Sequence, residues 1–201
     1  GSGSVRLPVM DPDSGAGVAD SIPDTRAASL AWLPDASGFY YTRYPMAGAV
    51  PEGEEQYHRA VYFHALGSDP ASDPLTFQPE QKEHWPGVDL SPDGRWLLIG
   101  VARTFDQTDL YLQDLLANGP LLPGAKALPA TFHAQSDGDQ LYIRTNLEAS
   151  NYRLFVADVR NPAREHWREI ISTRPDAVFD GFMLLKDRLA LSYLERASSR
   201  L

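Results

Sequence analysis

The chain contains no cysteine, which excludes disulfides, thiolate-ligated zinc and a thiol nucleophile. That lack fits a cytoplasmic setting, where thiols stay reduced. No apolar run approaches the ~18 residues that a membrane span requires, so no membrane partner is expected. The N-terminus lacks the basic and apolar regions of a secretory signal and opens on Gly1-Ser2-Gly3-Ser4, which reads as a linker. Basic residues are outnumbered, 18 Lys and Arg against 27 Asp and Glu, giving a net charge of −9. Without a basic stripe to displace counterions from phosphate, no nucleic-acid partner is expected, and the acidity reads as solubility. No stretch of 10–12 residues combines a 3.6-residue apolar period with caps, so helices are not expected. The chain also lacks a Gly-x-Ser-x-Gly nucleophile elbow.

What is present is a repeat. Four stretches share an order of short apolar run, turn and second apolar or aromatic run: 29–44, 87–101, 131–145 and 181–194. In Ser91-Pro92-Asp93-Gly94, proline presets φ near −65° and glycine accepts a positive φ. Ser136-Asp137-Gly138-Asp139 and Pro34-Asp35-Ala36-Ser37-Gly38 are variants of the same turn. The flanks are rich in Val, Ile, Leu, Tyr, Phe and Trp, so each stretch reads as a hairpin. A third strand follows the first three hairpins at Ala60–Leu66, Asp109–Leu115 and Arg153–Val159. Weaker fourth strands lie near Leu75–Phe77 and Trp167–Ile171, with an ill-defined one between Leu121 and Ala127.

The turn aspartates Asp35, Asp93, Asp137 and Asp187 recur at intervals of 58, 44 and 50 residues. A four-stranded unit at a period of roughly 40–50 residues predicts an all-β fold, a β-propeller of antiparallel blades. A sandwich of plain hairpins has no reason to repeat strand, turn, strand, strand at this spacing. The expected division is a linker at 1–4, a half-blade of strands three and four at 5–24, blades at 25–82, 83–127 and 128–174, and a half-blade of strands one and two at 175–201. The two halves are complementary, and each alone would expose an unpaired edge. They are expected to join as a composite blade, within one chain as a four-bladed ring or between two chains, head to tail, as an eight-bladed one. Trp32, Phe132 and Phe182 on the innermost strands are large for a narrow four-fold axis, which inclines the reading toward the dimer.

These residues carry a resemblance. Trp32 to Pro45, with Glu54-Glu55-Gln56-Tyr57-His58-Arg59 and Val61-Tyr62-Phe63-His64, resembles the second blade of prolyl oligopeptidases. Leu90 to Leu98 is similar to the next blade, Thr145-Asn146 with Asn151-Tyr152-Arg153-Leu154 and Trp167 to the fourth, and Leu191 to Leu194 to the fifth. The resemblance runs over residues 5–201. It implies a seven-bladed propeller that caps an α/β-hydrolase domain and admits only short peptides, which the hydrolase serine cleaves after proline. The segments that would hold the catalytic serine, aspartate and histidine are absent, so the chain alone is expected to be noncatalytic. Two other readings stand beside it: a self-standing module that binds a peptide or protein, and a subunit whose hydrolase domain comes from another chain.

No catalytic, cofactor-binding or metal-binding residue is assigned, and no cofactor is expected. His58, His64, His84, His133 and His166 include no pair at His-x-x-x-His spacing and are read as structural. Asp11-Pro12-Asp13-Ser14-Gly15 lacks the spaced ligands and terminal Glu of a calcium loop and reads as a turn. Glu52-Gly53-Glu54-Glu55 lies in the long connection 44–60 and reads as a solvated loop. The aromatics Tyr40, Tyr41, Tyr62, Phe63, Trp85, Trp96, Tyr111, Tyr142, Tyr152 and Phe155 are expected to fill the space between blades.

Overall fold

The structure, a computed structural model, describes residues 5–186, 188–195 and 198–200. The Gly1–Ser4 linker, the turn residue Asp187, Arg196, Ala197 and Leu201 lie outside the described residues. The chain divides into two compact units, 1–89 and 90–201.

Unit 1 holds β1 (Leu7–Met10), β2 (Gly17–Ile22), β3 (Leu30–Trp32), β4 (Gly38–Arg43), β5 (Ala60–Ala65) and β6 (Leu75–Phe77). β1 and β2 form a two-stranded antiparallel sheet; β3-β4-β5-β6 form a four-stranded meander. In the β3–β4 turn, the Asp35 carboxylate accepts from the Ser37 backbone at 3.0 Å and its hydroxyl at 2.7 Å, while Ala36 takes a left-handed φ of 56°. Gly38 is required by close approach, since a Cβ there would collide with the His64 carbonyl and sit 2.8 Å from the Phe63 ring. Val9 and Ile22 of the small sheet pack on Phe39 and Tyr41 of β4, with Leu7 and Tyr62 alongside. Sheet packs on sheet through the alternate residues of each strand.

Strand β7 (Trp85–Leu90) begins in unit 1. Unit 2 continues with β8 (Trp96–Thr104), β9 (Gln107–Asp114), β10 (Leu122–Ala125), β11 (Phe132–Asp137), β12 (Gln140–Thr145), β13 (Arg153–Asp158), β14 (Arg168–Ile171), β15 (Val178–Leu185), β16 (Arg188–Glu195) and β17 (Ser198–Arg200). The sheet orders are β10-β9-β8-β7, β11-β12-β13-β14 and β15-β16-β17. In the Ser91–Gly94 turn, Gly94 has φ 72°, its N–H donates to the Ser91 carbonyl at 2.8 Å, and the Ser91 hydroxyl donates to Asp93 at 2.5 Å. The core joins the inward faces of two consecutive sheets: Trp96, Leu98, Leu110 and Leu112 meet Phe132, Leu141 and Ile143. Burying such side chains supplies roughly 1.5–3 kcal/mol each.

Among the described residues helix is confined to two three-residue 3₁₀ turns, Pro70–Ser72 and Arg164–His166. The ill-defined fourth strand between Leu121 and Ala127 is β10. After β15 and β16, β17 adds three residues antiparallel to β16, with Tyr193 opposite Arg200 and Glu195 opposite Ser198.

Candidate functional site

The most developed polar arrangement lies inside unit 1. Phe39, Tyr41 and Arg43 share one face of β4 opposite His64, Tyr62 and Ala60 of β5. That face meets the β1–β2 sheet, and the sequence places a histidine there. His64 is fully buried. Its Nδ1 lies 3.0 Å from both Asp73 carboxylate oxygens, and its Nε2 lies 3.2 Å from Oδ1 of Asp20. The Tyr41 hydroxyl donates to Asp73 at 2.8 Å and the Gly67 N–H donates to Asp20 at 2.9 Å. Asp73 follows the 3₁₀ turn that Asp69 caps through the Ala71 N–H. Burial pushes the Tyr41 phenol well above its ordinary range, and its bond to Asp73 adds to the rise. Both imidazole nitrogens face carboxylate oxygens, so loss of either carboxylate would leave a buried ring nitrogen unpaired.

The chain Asp20–His64–Asp73–Tyr41 therefore ties β2 of one sheet to β4 and β5 of the next. Its groups are those of acid–base chemistry, but the imidazole is sealed from solvent and its nitrogens are occupied by carboxylates. It does the work of a clasp.

Buried guanidinium groups stacked on rings recur. Arg59 is 3% exposed; its Nη2 donates to Thr42 Oγ1 at 2.7 Å and to the Ala27 carbonyl. Trp85 and Tyr44 flank it at 4.9 and 5.5 Å, and desolvation pushes its pKa down. In unit 2, Arg144 stacks on Tyr152 at 3.7 Å and donates from Nε and Nη2 to the Phe179 carbonyl at 2.8 and 2.6 Å, joining β12 to β15. Arg43 is different. It is 5% exposed and stacks on Tyr62 at 4.2 Å, yet its Nε and Nη1 have no partner.

The other histidines are dispersed. His58 pairs with Glu54 at 2.6 Å, half-buried His84 bonds through its backbone to Gln81, His133 lies 6.0 Å from the Phe182 ring, and His166 is exposed on a 3₁₀ turn. Among the described residues no group of three or more His, Asp or Glu is placed to hold a metal. One Asp11 oxygen accepts from the Asp13 N–H and from the Ser14 N–H and hydroxyl, so it is spent inside its own turn. In the acidic loop, Glu54 binds both His58 and Lys82 at 2.6 Å, and the His58 bond foremost holds its carboxyl below the usual range. Tyr41 and Trp96 are core residues, Tyr40 packs on Phe63 at 4.9 Å, and Trp85 remains 46% exposed. Sequence reading missed the clasp. The available signal was His64 itself, in phase with Tyr62 on the inward face of an apolar strand.

Successive four-stranded antiparallel meanders, with apolar faces packed sheet on sheet, define a protein of the β-propeller class. The profile of the family described as "Prolyl oligopeptidase, N-terminal beta-propeller domain" matches residues 1–201. The chain belongs to the prolyl oligopeptidase family, within that propeller domain. Similar proteins include a prolyl endopeptidase of Elizabethkingia meningoseptica, 28% identical over 86% of this chain and 25% of that protein. Prolyl oligopeptidase ophP of Omphalotus olearius is 31% identical over 89% of this chain and 25% of its own length. A solved prolyl endopeptidase structure matches with a TM-score of 0.89 at 27% identity, covering 98% of this chain and 29% of that one. Prolyl oligopeptidase B of Galerina marginata shares the fold, with a TM-score of 0.81 at 19% identity. The chain spans about a quarter of the length of the curated relatives it matches. Among the described residues no helix is long and apolar enough to cross a membrane.

Proposed function

We propose that this chain is a noncatalytic part of a prolyl oligopeptidase propeller, which in the whole protein screens substrates by size before they reach an α/β-hydrolase domain. The observation that carries this reading is that the matches fall on the propeller domain alone, while the buried His64 is locked between Asp20 and Asp73. The test is incubation of the chain with a short chromogenic peptide bearing proline at the scissile bond. No release of chromophore above buffer is expected; turnover that tracks the protein through purification would overturn the reading. A self-standing peptide-binding module is favoured by one observation, the exposure of Trp32 and Trp85 at 42% and 46%. Saturable binding of proline-containing peptides by calorimetry, lost on alanine substitution of either tryptophan, would favour that alternative.

A further inference from the structure

We infer that Arg59, Arg26 and Tyr44 form a carboxylate-binding site within unit 1, with Trp85 as its exposed wall.

Arg59 is almost fully buried, and its guanidinium keeps its charge there. Nη2 is fixed by Thr42 and the Ala27 carbonyl, but Nε and Nη1, like those of Arg43, have no hydrogen-bond partner. The Tyr44 hydroxyl, the polar neighbour of this guanidinium, is buried and unpartnered as well. Contact with the Trp85 and Tyr44 rings at 4.9 and 5.5 Å offsets only part of the cost of taking a cation out of water. The neighbouring charge adds to that cost. The Arg26 guanidinium lies 5.7 Å from the same Tyr44 ring, and it repels Arg59. Among the described residues neither arginine is ion-paired to a carboxylate: Arg26 donates to the Gln56 side-chain oxygen at 2.6 Å, and Arg59 to a hydroxyl and a carbonyl. Two acids of the 44–60 connection are engaged elsewhere, Glu54 by His58 and Lys82 and Glu55 by the Gly53 N–H. Two cations and a phenol O–H around one ring, in a chain of net charge −9, suit an anion supplied from outside.

The backbone supports the same placement. Asp24 and Ala27, on either side of Arg26, take left-handed φ values of 60° and 53°, and His58, just before Arg59, takes 59°. Such conformations cost energy in residues that carry a Cβ and persist where the surroundings require them; here they bring both arginines to one ring. Access is from the solvent side, where Arg26 is exposed and Trp85 half-exposed. The ligand chemistry follows from the donors. A carboxylate is planar and accepts from guanidinium N–H groups in matched geometry. Trp85 and Tyr44, edge to face at 6.4 Å, offer an apolar wall to the carbon that bears it. A phosphate dianion brings more oxygens than the unmet groups of Arg59 and Tyr44 can satisfy away from water.

The test is an NMR titration of the whole chain, labelled with nitrogen-15 in arginine, with sodium acetate replacing sodium chloride at constant ionic strength. The Arg59 Nε–H resonance should move saturably, and that of Arg43 should stay still. Arg26→Met should weaken acetate binding about two- to fivefold, and Tyr44→Phe about two- to tenfold. Both variants should keep the urea midpoint of the unmodified chain, since Arg26 is exposed and the Tyr44 hydroxyl has no partner to lose. A short peptide with a free terminal carboxylate, set against its amide, separates the sources of the ligand. Tighter binding of the acid than of acetate, with none by the amide, assigns the site to peptides; binding no tighter than acetate assigns it to small free carboxylates, and either result upholds the site. No saturable movement of Arg59, equal movement of Arg43, undiminished binding in both variants, or tighter binding of inorganic phosphate than of acetate would overturn it.

Discussion

Replacing His64 with leucine tests the clasp, because leucine fills a similar volume and keeps contact with Phe39 and Tyr41 while removing both ring nitrogens. Asp73 would retain only the Tyr41 hydroxyl at 2.8 Å, and Asp20 only the Gly67 N–H at 2.9 Å. The Asp20 and Asp73 side chains are 8% and 1% exposed, so water cannot replace what they lose. A hydrogen bond to a charged group contributes about 1.5–3 kcal/mol, and two are lost on opposite sides of one ring. The leucine recovers roughly 1 kcal/mol of apolar burial among the neighbouring rings. The net expectation is a loss of about 3 kcal/mol, at the lower end of what breaking a buried charged pair costs. Equilibrium urea unfolding followed by tryptophan fluorescence reads this as a lower midpoint with an unchanged slope. Adding Asp20→Asn and Asp73→Asn to His64→Leu should restore a large part of the loss, since the cost lies in stranded charge and not in packing. A loss below about 1 kcal/mol, or a triple variant no more stable than the single one, would refute the reasoning.

Three further outcomes follow from particular residues. Arg43→Met should leave stability unchanged or raise it by about 1–2 kcal/mol, because methionine keeps the contact with Tyr62 and removes a buried cation whose Nε and Nη1 are unpaired; a clear loss in urea unfolding would show that the guanidinium has a partner of its own. Gly38→Ala should destabilise by more than about 2 kcal/mol, since its Cβ meets the His64 carbonyl and the Phe63 ring; a wild-type thermal midpoint would contradict that packing. Asp93 is held below the ordinary carboxylate range, chiefly by the Ser91 hydroxyl. A depressed folded-state value means stability that is complete above about pH 4 and lost as pH falls through the folded value. Ser91→Ala should raise the Asp93 titration toward the ordinary range, read by carboxyl carbon NMR, and reduce this part of the acid sensitivity.

Local chemistry made much of the architecture legible. The hairpin at 87–101 was readable because Ser91, Asp93 and Gly94 form their turn from their own side chains and a permitted positive φ, independent of the rest of the chain. The third strands β5, β9 and β13 were readable because alternating apolar residues have one use on a half-buried sheet. β10 was hard to see: Leu122-Pro123-Gly124-Ala125 has little strand propensity, and it pairs only because β9 presents a complete edge to it.

The clasp marks the boundary between the two kinds of information. The amino-acid order set the strands, the turns, the repeat and the inward position of His64, because those depend on neighbours two to four residues away. It did not set that Asp20, 44 residues upstream of His64, and Asp73, nine residues downstream, would converge on the two sides of one ring. That convergence comes from packing the β1–β2 sheet on β4 and β5. Likewise, Arg144 and Arg43 are both arginines near the ends of second strands. Only tertiary packing gives the first a carbonyl to clasp and leaves the second with a ring and two unmet donors. A hydrogen bond needs its partners within about 3 Å, and across two packed sheets that distance is decided by how the sheets meet and not by separation along the chain.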